Sequence, residues 1–235
     1  MMSKSLHLNG QTWNVSFLGE QALLLKPEQE EIPLSLIHQT YRRLEQSMIS
    51  GVIDLIPTYE SIGLIYNRLL EDLNVEIEKL QNQISDKSEE KISHRKYEIP
   101  VCYGLGLDWK EVEKHTGLTQ ELIIKKHTQT EYTVAMMGFM PGFVYLSGMD
   151  KTLECPRKEN PRTKIPEGAV GIAGGQTGVY SLESPGGWQI IGRTPHSFFN
   201  IKEEPPTYLK LGDKLVFHPI SIEEFEELKN ERAPS

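Results

Sequence analysis

Four basic side chains, Arg157, Arg162, Lys164 and Arg193, stand in or beside turns marked by proline: Cys155-Pro156-Arg157, Asn160-Pro161-Arg162 and Arg193-Thr194-Pro195. Proline restricts the backbone, so each side chain leaves from a defined point. A guanidinium presents a rigid donor fork that suits carboxylate or phosphate. Between these turns lies GIAGGQTGVY, in which Gly171, Gly174, Gly175 and Gly178 surround Gln176 and Thr177. From Gly138 to Gly192 there are 11 of the 19 glycines in 55 residues. Ordinary usage gives roughly four in that length. Glycine weakens strands and costs backbone entropy. The excess therefore calls for several tight turns or for close approach of a ligand or partner. Amide groups in such turns form an anion nest when they converge. Arg157, Arg162, Gln176, Thr177, Ser184, Gly187 and Arg193 are the candidate binding groups, with the four glycines as a candidate anion-binding loop.

Three further features have two readings each. Trp188, after Ser184-Pro185-Gly186-Gly187, is either an apolar wall of a site or a core residue. The run Gly138-Phe139-Met140-Pro141-Gly142-Phe143 shapes an apolar rim or fills the core. His127 follows two lysines at a helix end; it is either structural or, with its titration range, a proton-transfer group. His127 and Arg193 are the catalytic candidates. Other chemistries lack their motifs. Gly175 is followed by Gln176 rather than the lysine of a phosphate-binding P-loop, and the dinucleotide fingerprint fails. There is no Gly-x-Ser-x-Gly elbow and no His-Glu-x-x-His, so no metal site is expected. Cys155 beside Arg157 is a minor candidate nucleophile.

The 235 residues are 38% hydrophobic and carry a formal net charge of −8. That balance argues against nucleic acid and anionic membrane as general partners. The segment 151–202 runs against it, with seven Lys/Arg and four Asp/Glu, which fits a local anion site or a patch of surface salt bridges. No apolar run approaches the ~18 residues of a membrane span. MMSKSLHLNG lacks the apolar stretch of a secretory signal. Two cysteines, Cys102 and Cys155, fit a reducing cytoplasm, although spacing alone leaves a disulfide open.

The elements that must position these groups fall into two parts. Residues 1–90 read as a small α+β domain in the order ββαββα, with a helix face on Leu34, Ile37, Tyr41, Leu44 and Met48 and a second on Leu70, Leu73, Ile77, Leu80 and Ile84. Gly51 is the expected C-terminal cap of the first helix. Ser85–His94 is a linker by composition. Residues 95–220 read as mainly β, with short apolar runs between Gly and Pro. Two short helices precede most of them, capped by Asp108 and Thr119. An acidic helix or tail occupies 221–235.

GFMPGFVYL (138–146), PRKENPRTKIP (156–166), GIAGGQTGVY and SPGGWQIIGRTP (184–195) together resemble the family of 5-oxoprolinase B subunits, also described as allophanate hydrolase subunit 1 and as KipI, an inhibitor of a sporulation histidine kinase. The resemblance is close from about Tyr97 to Ile220 and looser before. It implies a cyclophilin-like β-barrel as the C-terminal domain, after an α+β N-terminal domain. It implies a cytoplasmic protein that works with C and A subunits to cleave 5-oxoproline to glutamate using ATP with Mg2+. The nucleotide belongs to the assembled complex and is not held tightly by this chain alone. By motif match the pocket falls on His127, Phe139, Pro141, Arg157, Arg162, Gln176, Thr177, Ser184, Gly187 and Arg193. Two other activities of such proteins are inhibition of a sensor histidine kinase and a urea carboxylase-type half-site. The segment 103–108 departs from the family's form by lacking an acidic residue in its glycine loop.

Overall fold

In a computed structural model the described residues are 4–84 and 94–232, and the chain divides into two compact units, 1–93 and 94–235. The expected linker 85–94 lies outside the described residues except for His94.

The first unit is a five-stranded sheet with two helices. Its strands are β1 (Lys4–Leu8), β2 (Gln11–Phe17), β3 (Ala22–Pro27), β4 (Val52–Pro57) and β5 (Ile62–Tyr66), in the order β1-β2-β3-β5-β4, all neighbours antiparallel. Helix α1 (Leu34–Gln46) lies between β3 and β4, and α2 (Leu73–Gln83) follows β5. The order is thus βββαββα. The strand that the sequence pattern does not announce is β1, whose five residues hold only two buried side chains, Leu6 and Leu8. On β2, Trp13 and Val15 point into a core shared with Ile37 and Leu44 of α1 and Ile77 and Leu80 of α2. Asp72 caps α2 by accepting from the amides of Asn74 (2.9 Å) and Val75 (3.1 Å). Gly51 is not the cap of α1. That helix ends at Ser47, and Gly51 takes φ +81° in the turn before β4.

The second unit is built on a seven-stranded sheet. Its members are β6 (Lys96–Val101), β7 (Glu131–Met137), β8 (Val144–Ser147), β10 (Ala169–Ala173), β11 (Gln176–Val179), β13 (Gln189–Arg193) and β14 (Lys214–Pro219), and a separate ribbon pairs β9 (Arg162–Ile165) with β12 (Ser184–Gly186). The sheet order is β13-β10-β11-β8-β7-β14-β6, antiparallel at every pair except β14–β6, which is parallel. The outer strands meet at one point. Just past β6, Cys102 donates its amide to the Arg193 carbonyl (2.8 Å), and Arg193 returns the bond (3.0 Å). A sheet whose two ends touch must curl, so this is a curled and partly open sheet. Helices α3 (Trp109–Thr116) and α4 (Gln120–Gln129) lie between β6 and β7, and α5 (Ile222–Arg232) follows β14. Gly117 ends α3 at φ +70°, and Thr119 caps α4 through the Leu122 amide. Among the described residues no helix is long and apolar enough to cross a membrane.

Alternation along these strands separates two apolar faces. Val134, Val144, Leu146, Ile172, Val179 and Leu215 face the main core with Ile123 of α4. Phe143, Ala169, Ala173, Tyr180, Trp188 and Ile190 form a second cluster, with Tyr145 packed against it.

Candidate functional site

The second face carries the site. Phe143 is its centre, with ring centroids of Tyr145 at 4.6 Å, Tyr180 at 4.9 Å, Trp188 at 5.5 Å and Phe139 at 5.7 Å. Three of these four pairs are edge-to-face, the geometry that ring quadrupoles favour. Trp188 is 5% exposed and packed in the buried cluster, as the core reading of it expects. Above it sits the exposed guanidinium of Arg157, 5.9 Å from the ring centroid. At the rim, Phe139 is 66% exposed and has φ +70°, the left-handed region that non-glycine residues avoid. Such an outlier costs about 1–3 kcal/mol and is retained where its surroundings over-determine it. Here the following turn does so. Gly142 takes φ +75° with Phe199 against it, and the Pro141 carbonyl accepts from Ser181 Oγ (2.6 Å).

The glycines of GIAGGQTGVY have two structural jobs. Gly171 and Gly178 are direct partners across β10 and β11. A Cβ on Gly178 would stand 2.6 Å from the Val144 carbonyl and 3.1 Å from the Trp188 ring, and one on Gly171 would stand 3.2 Å from Trp188 Cβ. The missing side chains make room for the tryptophan. Gly174, at φ +57°, and Gly175 form the exposed hairpin turn, and the Gly174 amide is bonded to the Cys155 carbonyl (2.7 Å). A Gly178→Ala variant is expected to lose about 1–3 kcal/mol by overpacking. Urea unfolding followed by tryptophan emission measures this, and an unchanged midpoint would show that Trp188 does not need the space.

The other predicted residues separate. His127 is fully buried on α4. Its ring stacks on Phe217 at 4.8 Å, Nδ1 is 2.7 Å from Tyr103 Oη, and Nε2 is 3.0 Å from Thr177 Oγ1. The Thr177 hydroxyl donates to the Gly171 carbonyl (2.9 Å), so it accepts from His127 Nε2–H. Nδ1 then accepts from Tyr103. Both nitrogens are used, and burial pushes the imidazole down to about 3. His127 and Thr177 belong to the core rather than to the aromatic face. This corrects the proton-transfer expectation, because a lone histidine in sequence carries no sign of how dry its surroundings are.

Arg162 and Arg193 are also committed elsewhere. Arg162 forms a two-pronged pair with Asp108 (2.8 and 2.5 Å). Arg193 Nε donates to the Glu167 carbonyl (2.7 Å), and its guanidinium lies 5.5 Å over Phe225 of α5, at the seam where the sheet ends meet. The half-exposed Ser184 turns its hydroxyl to the Pro185 carbonyl (3.1 Å). The Gly187 carbonyl accepts from the Lys158 amide (2.7 Å). Gln176 is half-exposed and, by alternation with Thr177, shares the aromatic face. Lys164 pairs with Glu183 at the surface. Cys155 is buried in the main core, and burial pushes its thiol up to about 11, which removes it as a nucleophile. Of the predicted groups, Arg157 meets Trp188 and Phe139 joins the cluster through Phe143, with Tyr145 and Tyr180 as added members, while Gln176 only shares that side of the sheet. The alternation Phe-Val-Tyr-Leu at 143–146 is the available sequence signal for Tyr145.

Burial raises both tyrosine hydroxyls of the face, Tyr180 to about 12, while Arg157 opposes the shift in each. Both stay protonated near neutral pH. The cluster is therefore aromatic with neutral phenols; Phe143, Tyr180 and Trp188 are buried, Tyr145 is half-buried, and Phe139 and Arg157 are exposed at its rim.

The family described as "Carboxyltransferase domain, subdomain C and D" matches residues 13–209. The B subunit of 5-oxoprolinase from Bacillus subtilis is 37% identical over 234 residues, covering 93% of this chain and 98% of that protein. The Escherichia coli O157:H7 protein of the same description is 38% identical over 208 residues, 86% and 94%. Among solved structures, TTHA0988 superposes with a TM-score of 0.70 at 29% identity; 86% of this chain is covered, and it spans only 40% of that longer chain. The Kluyveromyces lactis urea amidolyase, at 15% identity and a TM-score of 0.74, shares the fold, covering 94% of this chain and 16% of its own. With most of its length matched in sequence and with the four motifs in order, this chain belongs to the carboxyltransferase C and D subdomain family, in the branch that holds the bacterial 5-oxoprolinase B subunits.

Proposed function

We propose that this chain is the B-type component of an ATP-dependent 5-oxoprolinase, active in amide-bond cleavage only when joined to C and A subunits, and that its second unit is a cyclophilin-like barrel, cytoplasmic in location. The observation that carries the reading is the exposed Arg157 guanidinium over Trp188, in a chain nearly the full length of the B subunits it resembles. 5-Oxoproline is a small lactam with one carboxylate; exposed Phe139 and half-buried Tyr145 offer it an apolar surface, and exposed Arg157 offers a cation. Arg157 binds and orients the carboxylate, the aromatic rings exclude water from one face of the lactam, and Gln176 supplies an amide to its polar edge.

Among the described residues, three of the groups best suited to a phosphate are committed elsewhere. Arg162 and Lys158 are neutralised by Asp108 and Glu111, and the Gly174 amide is taken. Holding ATP and Mg2+ falls to the partner subunits, which fits a shared site.

Purified alone and with its partners, the protein is to be assayed for ATP-dependent glutamate release. Activity is expected from the assembly only, and full activity from the isolated chain overturns the shared-site reading. In the assembly, Arg157→Ala should raise KM for 5-oxoproline by ten- to a hundredfold, the value of a charge-assisted bond of about 1.5–3 kcal/mol. An unchanged KM removes Arg157 from the site. A local match, 39% identity over 75 residues to urea amidolyase of Lachancea kluyveri, supports a second reading as a urea carboxylase-type half-site. Dependence of turnover on a biotin carrier protein is its test.

A further inference from the structure

Asp108 opens α3, yet its side chain makes no capping bond. Its carboxylate is 1% exposed and accepts four bonds from two distant stretches of chain. Arg162 grips both oxygens (2.8 and 2.5 Å), Lys158 Nζ lies 2.9 Å from one, and the Ile190 amide donates to the other (2.7 Å). The main chain repeats the link, because the amides of Leu107 (2.8 Å) and Asp108 (3.1 Å) both donate to the Ile190 carbonyl. Burial alone would raise this carboxyl, but Arg162, Ile190 and Lys158 together hold it below the ordinary range. Lys158 also meets Glu111.

These partners flank the two residues of the cation–π contact. Lys158 follows Arg157 directly, and its amide donates to the Gly187 carbonyl (2.7 Å). On the other side of Arg157, the Pro156 carbonyl accepts from Gln189 Nε2 (3.1 Å). Ile190 stands two residues after Trp188. We infer that Asp108 is the positioning residue of the aromatic site: one buried carboxylate ties the strand that follows Trp188 to the loop that carries Arg157, and so holds the exposed guanidinium of that face over the ring. The inference deepens the lactam reading and rests on it for the identity of the ligand, but the placement of Arg157 stands independently.

The test is Asp108→Asn in the full-length chain, which keeps an acceptor for Ile190 and removes the charge. Two measurements are made. In a Trp13→Phe/Trp109→Phe background, acrylamide quenching of Trp188 should rise at least twofold, because the guanidinium no longer shields the ring. In the reconstituted complex, KM for 5-oxoproline should rise about tenfold with kcat within twofold. Adding Asp108→Asn to Arg157→Ala should change KM no further, since both act through one group. Should Asp108→Asn fail to fold, Lys158→Met, which leaves the Asp108–Arg162 pair, should give a smaller rise in quenching. Unchanged quenching in the folded variants, or additive effects on KM, overturns the inference. If the wild-type complex does not turn over 5-oxoproline, the lactam reading fails, and the quenching result alone decides the role of Asp108.

Discussion

Asp108→Ala should lower the stability of the second unit by about 3–5 kcal/mol, the usual cost of removing one partner from a buried ion pair. The pair itself contributes little net energy, because two charges had to leave water to form it. The loss arises from what stays behind. The Arg162 and Lys158 side chains are 25% and 16% exposed, and both would lose the carboxylate they share, with Glu111 still paired to Lys158. The Ile190 amide would also be buried without an acceptor, a further cost of about 1–3 kcal/mol when uncompensated. Part of each contribution is recovered if water enters, so the two do not simply add. Denaturant unfolding, read by tryptophan emission in a Trp13→Phe background, reports this unit alone. A loss below about 1 kcal/mol, typical of exposed ion pairs, would show that the cluster is open to water. Asp108→Asn should lose less than Asp108→Ala because the amide oxygen still serves Ile190.

The second unit should also lose stability steeply in mild acid because of His127. Unfolded, the imidazole titrates near 6.5; folded, burial holds it at about 3. Between those values the unfolded chain binds a proton that the folded chain refuses. The folded state is then favoured less as pH falls, and the full contribution is present only above pH ~6.5. The slope is about 1.4 kcal/mol per pH unit. From pH 7.5 to pH 5.0 this amounts to about 2 kcal/mol, because the slope develops only below the unfolded value. Carboxylates that titrate lower add to the trend in stronger acid, so the variant His127→Gln is the reference. It is less stable at neutral pH, having lost the stack on Phe217, but has no proton to take up. The gap between wild type and variant should narrow by about 2 kcal/mol over that range. A gap that does not depend on pH would mean that the imidazole is solvated in the folded state.

Both residues are plain in the sequence, yet neither can be placed from it. His127 reads as a core residue, the commoner case for a lone histidine, or as a proton-transfer group until α4 is seen lying on β14, with Phe217, Tyr103 and Thr177 around the ring. Asp108 reads as a helix cap because it precedes an apolar-periodic segment. In the fold its carboxylate turns away to Arg162, which is 54 residues further along the chain. No local pattern encodes a bond of that range.

What the sequence determined by itself was periodic or local. Leu34, Ile37 and Leu44 mark a helix because their spacing matches its turn, and Ile62–Tyr66 is a strand because so short an apolar run between turns cannot make a stable helix. Gly117 and Thr119 ended and began helices by backbone chemistry that needs only neighbours. Four motifs in order were enough to point to the family. Tertiary structure alone decided which polar groups were free. It committed Arg162 to Asp108, Arg193 to the seam, Thr177 to His127 and the glycine pair to Trp188, and left Arg157 exposed on the aromatic face. The physical reason is that a side chain's chemistry is set by its water and its partners, and in a curled sheet both come from strands far apart in sequence.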